Sequence, residues 1–231
     1  MQPIDICFTP LDIPKRPNID LEKFLQWAKL VYPQSCKDQA KHAESVYKDE
    51  YPWDLVFAKF GSRWQDNFDI QFPNLAKYCY EGFNLKDYEI QSVIFLLIRD
   101  SVKGYSFWHN DIDLTGFRFY LENENFNLNP LMLRKTKLPY TKKITIATIE
   151  ESSTLLKEKE YICKIPDPHS SFYLNNLRSA HSIFVTKPGL RIAGFITIGN
   201  SYLAGVMKRT SEIIVRSAEK FKEYAVLYQE E

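Results

Sequence analysis

From residue 90 to 199 the chain carries short, strand-like runs rich in β-branched and aromatic residues. Seven such runs follow one another: SVIFLLIR (92–99), YSFWHNDI (105–112), FRFYLE (117–122), KITIATIE (143–150), EYICKI (160–165), SIFVT (182–186) and LRIAGFITIG (190–199). Turn formers such as DLTG and KPG separate neighbouring runs. Strands this short and numerous bury their apolar faces only by closing into a sandwich or barrel.

Helical patterns flank this region. DLEKFLQWAKLVY places Leu21, Phe24, Leu25 and Ala28 on one face behind Asp20 as N-cap. NLAKYCYEGF reads as a short helix ending near Gly82. At the other end, SEIIVRSAEKFKEYAVLY lines up Ile213, Ile214, Ala218, Phe221 and Ala225, with Ser211 as the expected N-cap. Prolines at 3, 10, 14 and 17 imply an extended lead-in, and residues 37–65 carry no pattern that assigns them. The expected fold class is mainly β with flanking helices.

Composition narrows the function classes. Hydrophobic content of 45% and aromatic content of 15% belong to a folded globular chain. A net charge of +1 gives no field to recruit nucleic acid or an anionic membrane. Cys7, Cys36, Cys79 and Cys163 are far apart, without a C-x-x-C pair, so neither a disulfide framework nor a cysteine zinc site is expected. The start MQPIDICFTP lacks the pattern of a signal peptide, and the longest apolar run, VIFLLI, is too short to span a bilayer. A soluble, cytoplasmic protein is the expectation.

Against this apolar background one stretch stands out, YSFWHNDIDLTGFRFYLEN, Tyr105 to Asn123. Polar groups inside a strand cost free energy unless something pairs with them. In an extended strand His109 and Asp111 share one face, while Trp108, Asn110 and Ile112 share the other. An imidazole and a carboxylate presented together are two ligands for a first-row metal, and one more histidine would complete a facial triad. They make equally well a hydrogen-bonded pair without metal. Of the other histidines, His42 lies in a polar, helix-like run and His169 in the turn-like PDPHSS, whereas His181 directly precedes a strand. Arg191 follows His181 by ten residues after a KPG turn, so a hairpin would bring it back beside His181, where its guanidinium would grip a carboxylate bidentately. Asp113 is a rival to Asp111. Tyr105 and Tyr120 are read as core aromatics rather than pocket walls.

The pattern His109-x-Asp111, distal His181 and Arg191 resembles the iron(II)- and 2-oxoglutarate-dependent oxygenases. Arg118, nine residues after His109, matches the spacing of the aspartyl/asparaginyl β-hydroxylase-like branch, which includes proline hydroxylases. The segment after Arg118 reads FYLEN, without the histidine and proline of that branch, and the interval between the histidines is long. The resemblance covers roughly residues 90–200. It implies a double-stranded β-helix (jelly roll, cupin-like) core in a single oxygenase domain over 1–231. Within it, 1–89 would be a helical or mixed support, 90–200 the β core with a 122–175 insertion, and 201–231 the C-terminal helix.

The resemblance further implies Fe(II) held by His109, Asp111 and His181, with 2-oxoglutarate bound through Arg191 and Arg118 and O2 as co-reactant. The implied reaction hydroxylates an amino-acid-like or peptidyl side chain and releases succinate and CO2. Two other readings stay open: a non-catalytic metal- and 2-oxoglutarate-binding barrel or sensor, and a cupin-like metalloenzyme that does not use 2-oxoglutarate. Arg118 is equally open to a structural ion pair. The basic run Arg134, Lys135, Lys137, Lys142 and Lys143 reads either as a solvated edge or as a contact for an anionic substrate. Neither membrane nor nucleic acid is expected as a partner, and the sequence leaves the oligomeric state open.

Overall fold

From Ile90 to Ile198 the chain passes back and forth between two antiparallel sheets. The computed structural model describes residues 1–40, 53–98, 104–105, 116–125, 127–128, 130–135, 159–176, 178–187 and 189–228. Among them are β1 (Ile6–Pro10), β2 (Trp53–Phe60), β3 (Arg63–Trp64), β4 (Ile90–Ile98), β5 (Gly104–Tyr105) and β6 (Phe117–Asn123). They continue with β7 (Leu131–Lys135), β8 (Glu160–Cys163), β9 (Phe172–Leu174), β10 (Ser179–Val185), β11 (Arg191–Ile198) and β12 (Val226–Leu227). The helices are α1 (Leu21–Ala40), the short α2 (Phe68–Gln71) and α3 (Pro73–Lys77), and α4 (Leu203–Lys220).

The larger sheet runs β12-β1-β9-β6-β11-β4-β2-β3 and the smaller β5-β10-β7-β8. Strands β4 to β11 therefore form two four-stranded halves, β4-β11-β6-β9 facing β5-β10-β7-β8. That interleaved order is the jelly roll, or double-stranded β-helix. The fold class read from the sequence is the one observed, mainly β with flanking helices. Residues 1–89 also enter the larger sheet, through β1, β2 and β3, and residues 122–175 supply β7 and β8 to one sheet and β9 to the other. The run KITIATIE lies outside the described residues.

Each face of the larger sheet has its own core. On one side Phe24, Trp27, Ala28 and Val31 of α1, at helical spacing, pack with Val93, Phe95 and Leu97 of β4 and Phe117, Phe119 and Leu121 of β6. Asp20 caps this helix as expected, its Oδ1 accepting from the Lys23 amide at 3.0 Å. The other face packs against the smaller sheet through Phe8, Phe172 and Leu174 against Leu131, Leu133 and Cys163. Along β4 and β6, period-two alternation sends Val93, Phe95 and Leu97, and Phe117 and Phe119, to the helix-side core.

Helix α4 corrects the expected N-cap. It begins at Leu203, and Ser211 sits inside it with its hydroxyl donating to the Lys208 carbonyl at 2.8 Å. The buried stripe is Val206, Thr210, Ile214, Ser217 and Ala218, an i, i+4 series that starts before the run SEIIV. The expected short helix at 74–83 appears as α3 continued by a π turn through Gly82.

Candidate functional site

The face between the two sheets carries the polar groups of interest. On β6, Phe117 and Phe119 point to the helices, so Arg118 and Tyr120 point inward; Tyr120 belongs to the inter-sheet core. On β11, Ile192 and Ile196 point to the helices, so Arg191, Ala193 and Phe195 point inward. Cross-strand pairing of Phe195 with Arg118 and of Ala193 with Tyr120 agrees with this assignment. On the opposing sheet His181 pairs with Leu133 and Ile183 with Leu131, which puts His181 on the inner face as well.

The three residues are nearly inaccessible, at 3% (Arg118), 4% (Arg191) and 5% (His181) relative exposure. The Arg118 guanidinium lies over the Phe195 ring at 4.5 Å, and its Nη2 reaches Asn176 Oδ1 at 3.4 Å. Arg191 sits above the Tyr120 ring at 6.0 Å. Burial lowers the Arg191 pKa from its ordinary value, and the nearby Tyr120 phenol works the other way. Burial raises Tyr120, with Arg191 and Arg118 opposing. Two guanidinium groups around one phenol, in a region shielded from water, make a positive, hydrogen-bonding wall suited to a carboxylate.

Sequence reasoning placed His181 and Arg191 side by side in one hairpin; the structure corrects this. β10 is bonded to β5 and β7, whereas β11 is bonded to β4 and β6. The connection at 186–190 therefore crosses from one sheet to the other, and the two residues belong to opposite walls. His109, Asp111 and the rival Asp113 lie outside the described residues, as does His42. Among the described residues no group of three His, Cys, Asp or Glu side chains is placed to hold a metal ion. His169 is in a turn as read, its amide donating to Asp167 Oδ1 at 2.7 Å. Of the basic run, Arg134 pairs with Glu160 across β7 and β8, and Lys135 lies over Tyr161 at 4.7 Å. Lys137, Lys142 and Lys143 are outside the described residues.

Sequence reasoning missed a bulge and the residue that holds it. Along the β6–β11 pair Ile192 faces Glu122 while Ala193 faces Tyr120, so Leu121 is an extra residue. The bulge resets the alternation: Leu121 packs with the helices, yet Asn123 pairs with Arg191 and shares the inner face with Tyr120. Arg16 secures the bulge. Its Nε donates to the Tyr120 carbonyl, its Nη2 to the Leu121 carbonyl at 2.6 Å and its Nη1 to the Pro17 carbonyl at 3.1 Å. Burial pushes the Arg16 pKa down, with Glu122 the main opposing charge. No sequence signal marks Arg16, which lies in the proline-rich lead-in.

Gly116 introduces β6 with φ +65°, and a Cβ there would meet the Leu174 carbonyl oxygen at 1.9 Å. The Gly116 carbonyl accepts from the Leu174 amide at 2.9 Å. Only glycine permits both the left-handed conformation and this approach.

Fold and site together define a double-stranded β-helix protein with a basic, histidine-bearing interior. Among solved structures the chain is similar to SnoK, a non-heme alpha-ketoglutarate-dependent carbocyclase from nogalamycin biosynthesis, with 9% identity and TM-score 0.44 over 84% of this chain and 81% of that one. It is also similar to a Pseudomonas putida prolyl-4-hydroxylase, with 12% identity and TM-score 0.34 over 75% and 88% of the two chains. A further similar structure is the epimerase SnoN in complex with Fe3+, alpha-ketoglutarate and nogalamycin RO, with 10% identity and TM-score 0.41 over 84% and 80%. At such values the likeness carries no argument about activity. No family model matches the chain, and no curated protein does.

Proposed function

We propose that the chain is a non-haem iron(II)- and 2-oxoglutarate-dependent dioxygenase that hydroxylates an amino acid or peptidyl side chain. The observation that carries the reading is the buried arrangement of Arg118 and Arg191 on one inner wall and His181 on the other. Two of the described residues, His181 and Arg191, support this reading. A buried imidazole facing the sandwich interior is suited to hold a metal ion, and the Arg191 guanidinium to pair with the distal carboxylate of a dicarboxylate. β5, hydrogen-bonded to β10 at Tyr105 and Phe184, ends four residues before His109. The chain returns at β6, which carries Arg118. In sequence, His109 and Asp111 fall between the strand beside His181 and the strand that pairs with that of Arg191.

When bound, iron and 2-oxoglutarate with O2 would supply the oxidising chemistry, giving succinate, CO2 and the hydroxylated product. The protein's part is to hold, orient and keep dry. His181, His109 and Asp111 would present one face of ligands; Arg191 would fix the far end of the cosubstrate; Tyr120 and Phe195 would exclude water from both guanidinium groups. Arg118, held toward Asn176 and Phe195, would steady the same wall.

Two variants and one assay test this. His181→Ala should abolish stoichiometric Fe(II) or Mn(II) binding in calorimetry while the protein stays folded; unchanged metal affinity removes His181 from the ligand set. Arg191→Leu should weaken 2-oxoglutarate binding at least tenfold with metal binding retained, since breaking a desolvated charge pair from one side costs on the order of 2–5 kcal/mol. A larger effect from Arg118→Leu would exchange the roles of the arginines. Succinate formation against a panel of amino acids and peptides distinguishes the enzyme from a non-catalytic sensor, which would bind 2-oxoglutarate without turning it over.

A further inference from the structure

The bulge at Leu121 has a product besides the Arg191 wall. By turning both Tyr120 and Asn123 inward, it opens a cavity of about 380 Å3 toward the β8 and β9 side of the sandwich. The floor is apolar and comes from both sheets: Phe8 and Phe172 from the larger, Leu131 and Cys163 from the smaller, with Ile165 just beyond β8. Tyr120 forms a wall shared with Arg191. Besides the phenols of Tyr120 and Tyr224, its polar side chains are Asn123, Asn127 and Lys164, the last two solvent-exposed. Among the described residues, no Asp or Glu lines it.

This combination selects a ligand class. The volume lies in the range of small-molecule sites, about 300–1,000 Å3, and near its lower end. It suits one ring or branched chain with a short tail. An apolar floor stabilises such a body by removing it from water. One ammonium and two side-chain amides, with no carboxylate among the described lining residues, favour a single negative charge and disfavour a cation. We propose that this cavity is a binding site for a small carboxylic acid with an aromatic or branched aliphatic body, its carboxylate met by Lys164 and the amides of Asn123 and Asn127. The site stands apart from the metal reading and needs neither iron nor 2-oxoglutarate.

The test is calorimetry on the full chain, without iron or 2-oxoglutarate, using 3-phenylpropionate, 4-methylvalerate and their primary amides. At least one acid binds saturably at one site per chain, and its amide binds tenfold or more weakly. Lys164→Glu reverses the charge and Asn127→Trp fills the opening; both positions are exposed, so thermal stability is kept while acid binding is lost. The proposal is overturned if neither acid shows saturable binding, if the amides bind as well as the acids, or if both variants bind the acid like the parent protein.

Discussion

Arg16 supports the candidate site without facing it. Its guanidinium fills the hydrogen-bonding gap that a bulge leaves, bonding the carbonyls of Tyr120 and Leu121. Truncation leaves two buried carbonyls unsatisfied, at about 1–3 kcal/mol each. Arg16→Ala should therefore lower unfolding free energy by roughly 2–6 kcal/mol in a urea titration, with Arg16→Lys recovering part of it. A loss under 1 kcal/mol would mean that the bulge holds itself. The thiols give a second residue-scale expectation. Cys7, Cys79 and Cys163 are buried; burial pushes Cys79 well up, burial aided by Cys7 pushes Cys163 well up, and burial carries Cys7 to about 12 against Lys135 and Arg178. A raised pKa leaves the thiol protonated and unreactive. Ellman's reagent at pH 8 should modify these three only as fast as the protein unfolds; prompt labelling of any one in the native protein would contradict its burial.

At the scale of elements, β6 and β11 are joined as closely by side chains as by hydrogen bonds. Gly194 lies opposite Phe119, and a Cβ at 194 would come within 2.5 Å of the ring. Phe119 cannot easily yield, being held edge-on by Tyr78 at 5.7 Å and by Phe95 at 6.0 Å. Gly194→Ala should cost about 1–3 kcal/mol through overpacking, and adding Phe119→Leu should return part of it, a coupling readable in a double-mutant cycle. Strictly additive losses would show that ring and glycine do not compete. β4, β6, β8, β10 and β11 were legible because their alternation or continuous apolar character matches their two cores. β1 was hidden by its prolines, and β2 by Lys59, a fully buried lysine explained only by its partner Asp87 at 2.7 Å and the Trp64 ring at 5.1 Å. At the site, Arg118, His181 and Arg191 were singled out in the sequence through the family resemblance, and the structure puts all three on inner faces. Their distribution over two walls was not legible, because a KPG turn serves a sheet-to-sheet crossing as well as a hairpin. The place of Asn123 was not legible either, since a one-residue bulge reverses the alternation with no mark in the sequence.

For the whole molecule, the arrangement of the larger sheet decides how the chain unfolds. Its interior strands β4 and β11 belong to the jelly roll, but β4 is covered on its outer edge by β2, and β9 by β1. Phe24 and Trp27 of α1 meet Phe68, Phe72 and Phe95 in one aromatic cluster that joins residues before 90 to the strand after it. The C-terminal segment closes the same sheet from the far side, β12 pairing with β1 and Ser217 Oγ accepting from the Asp12 amide at 2.8 Å. A support region that could be detached would show few such contacts; here both ends are built into the sheet that carries Arg118 and Arg191. The chain should therefore unfold in urea as one cooperative unit. Three of the four tryptophans, Trp27, Trp53 and Trp64, precede residue 90, so fluorescence is weighted to the N-terminal part, whereas far-ultraviolet circular dichroism reports on the strands throughout; the two curves should coincide in midpoint. A chain starting at residue 90 should be recovered unfolded or aggregated, because β4 then presents an unpaired edge and an uncovered apolar face. Two separated transitions, or a soluble, cooperatively folding 90–231 fragment, would show that the first 89 residues are dispensable to the barrel.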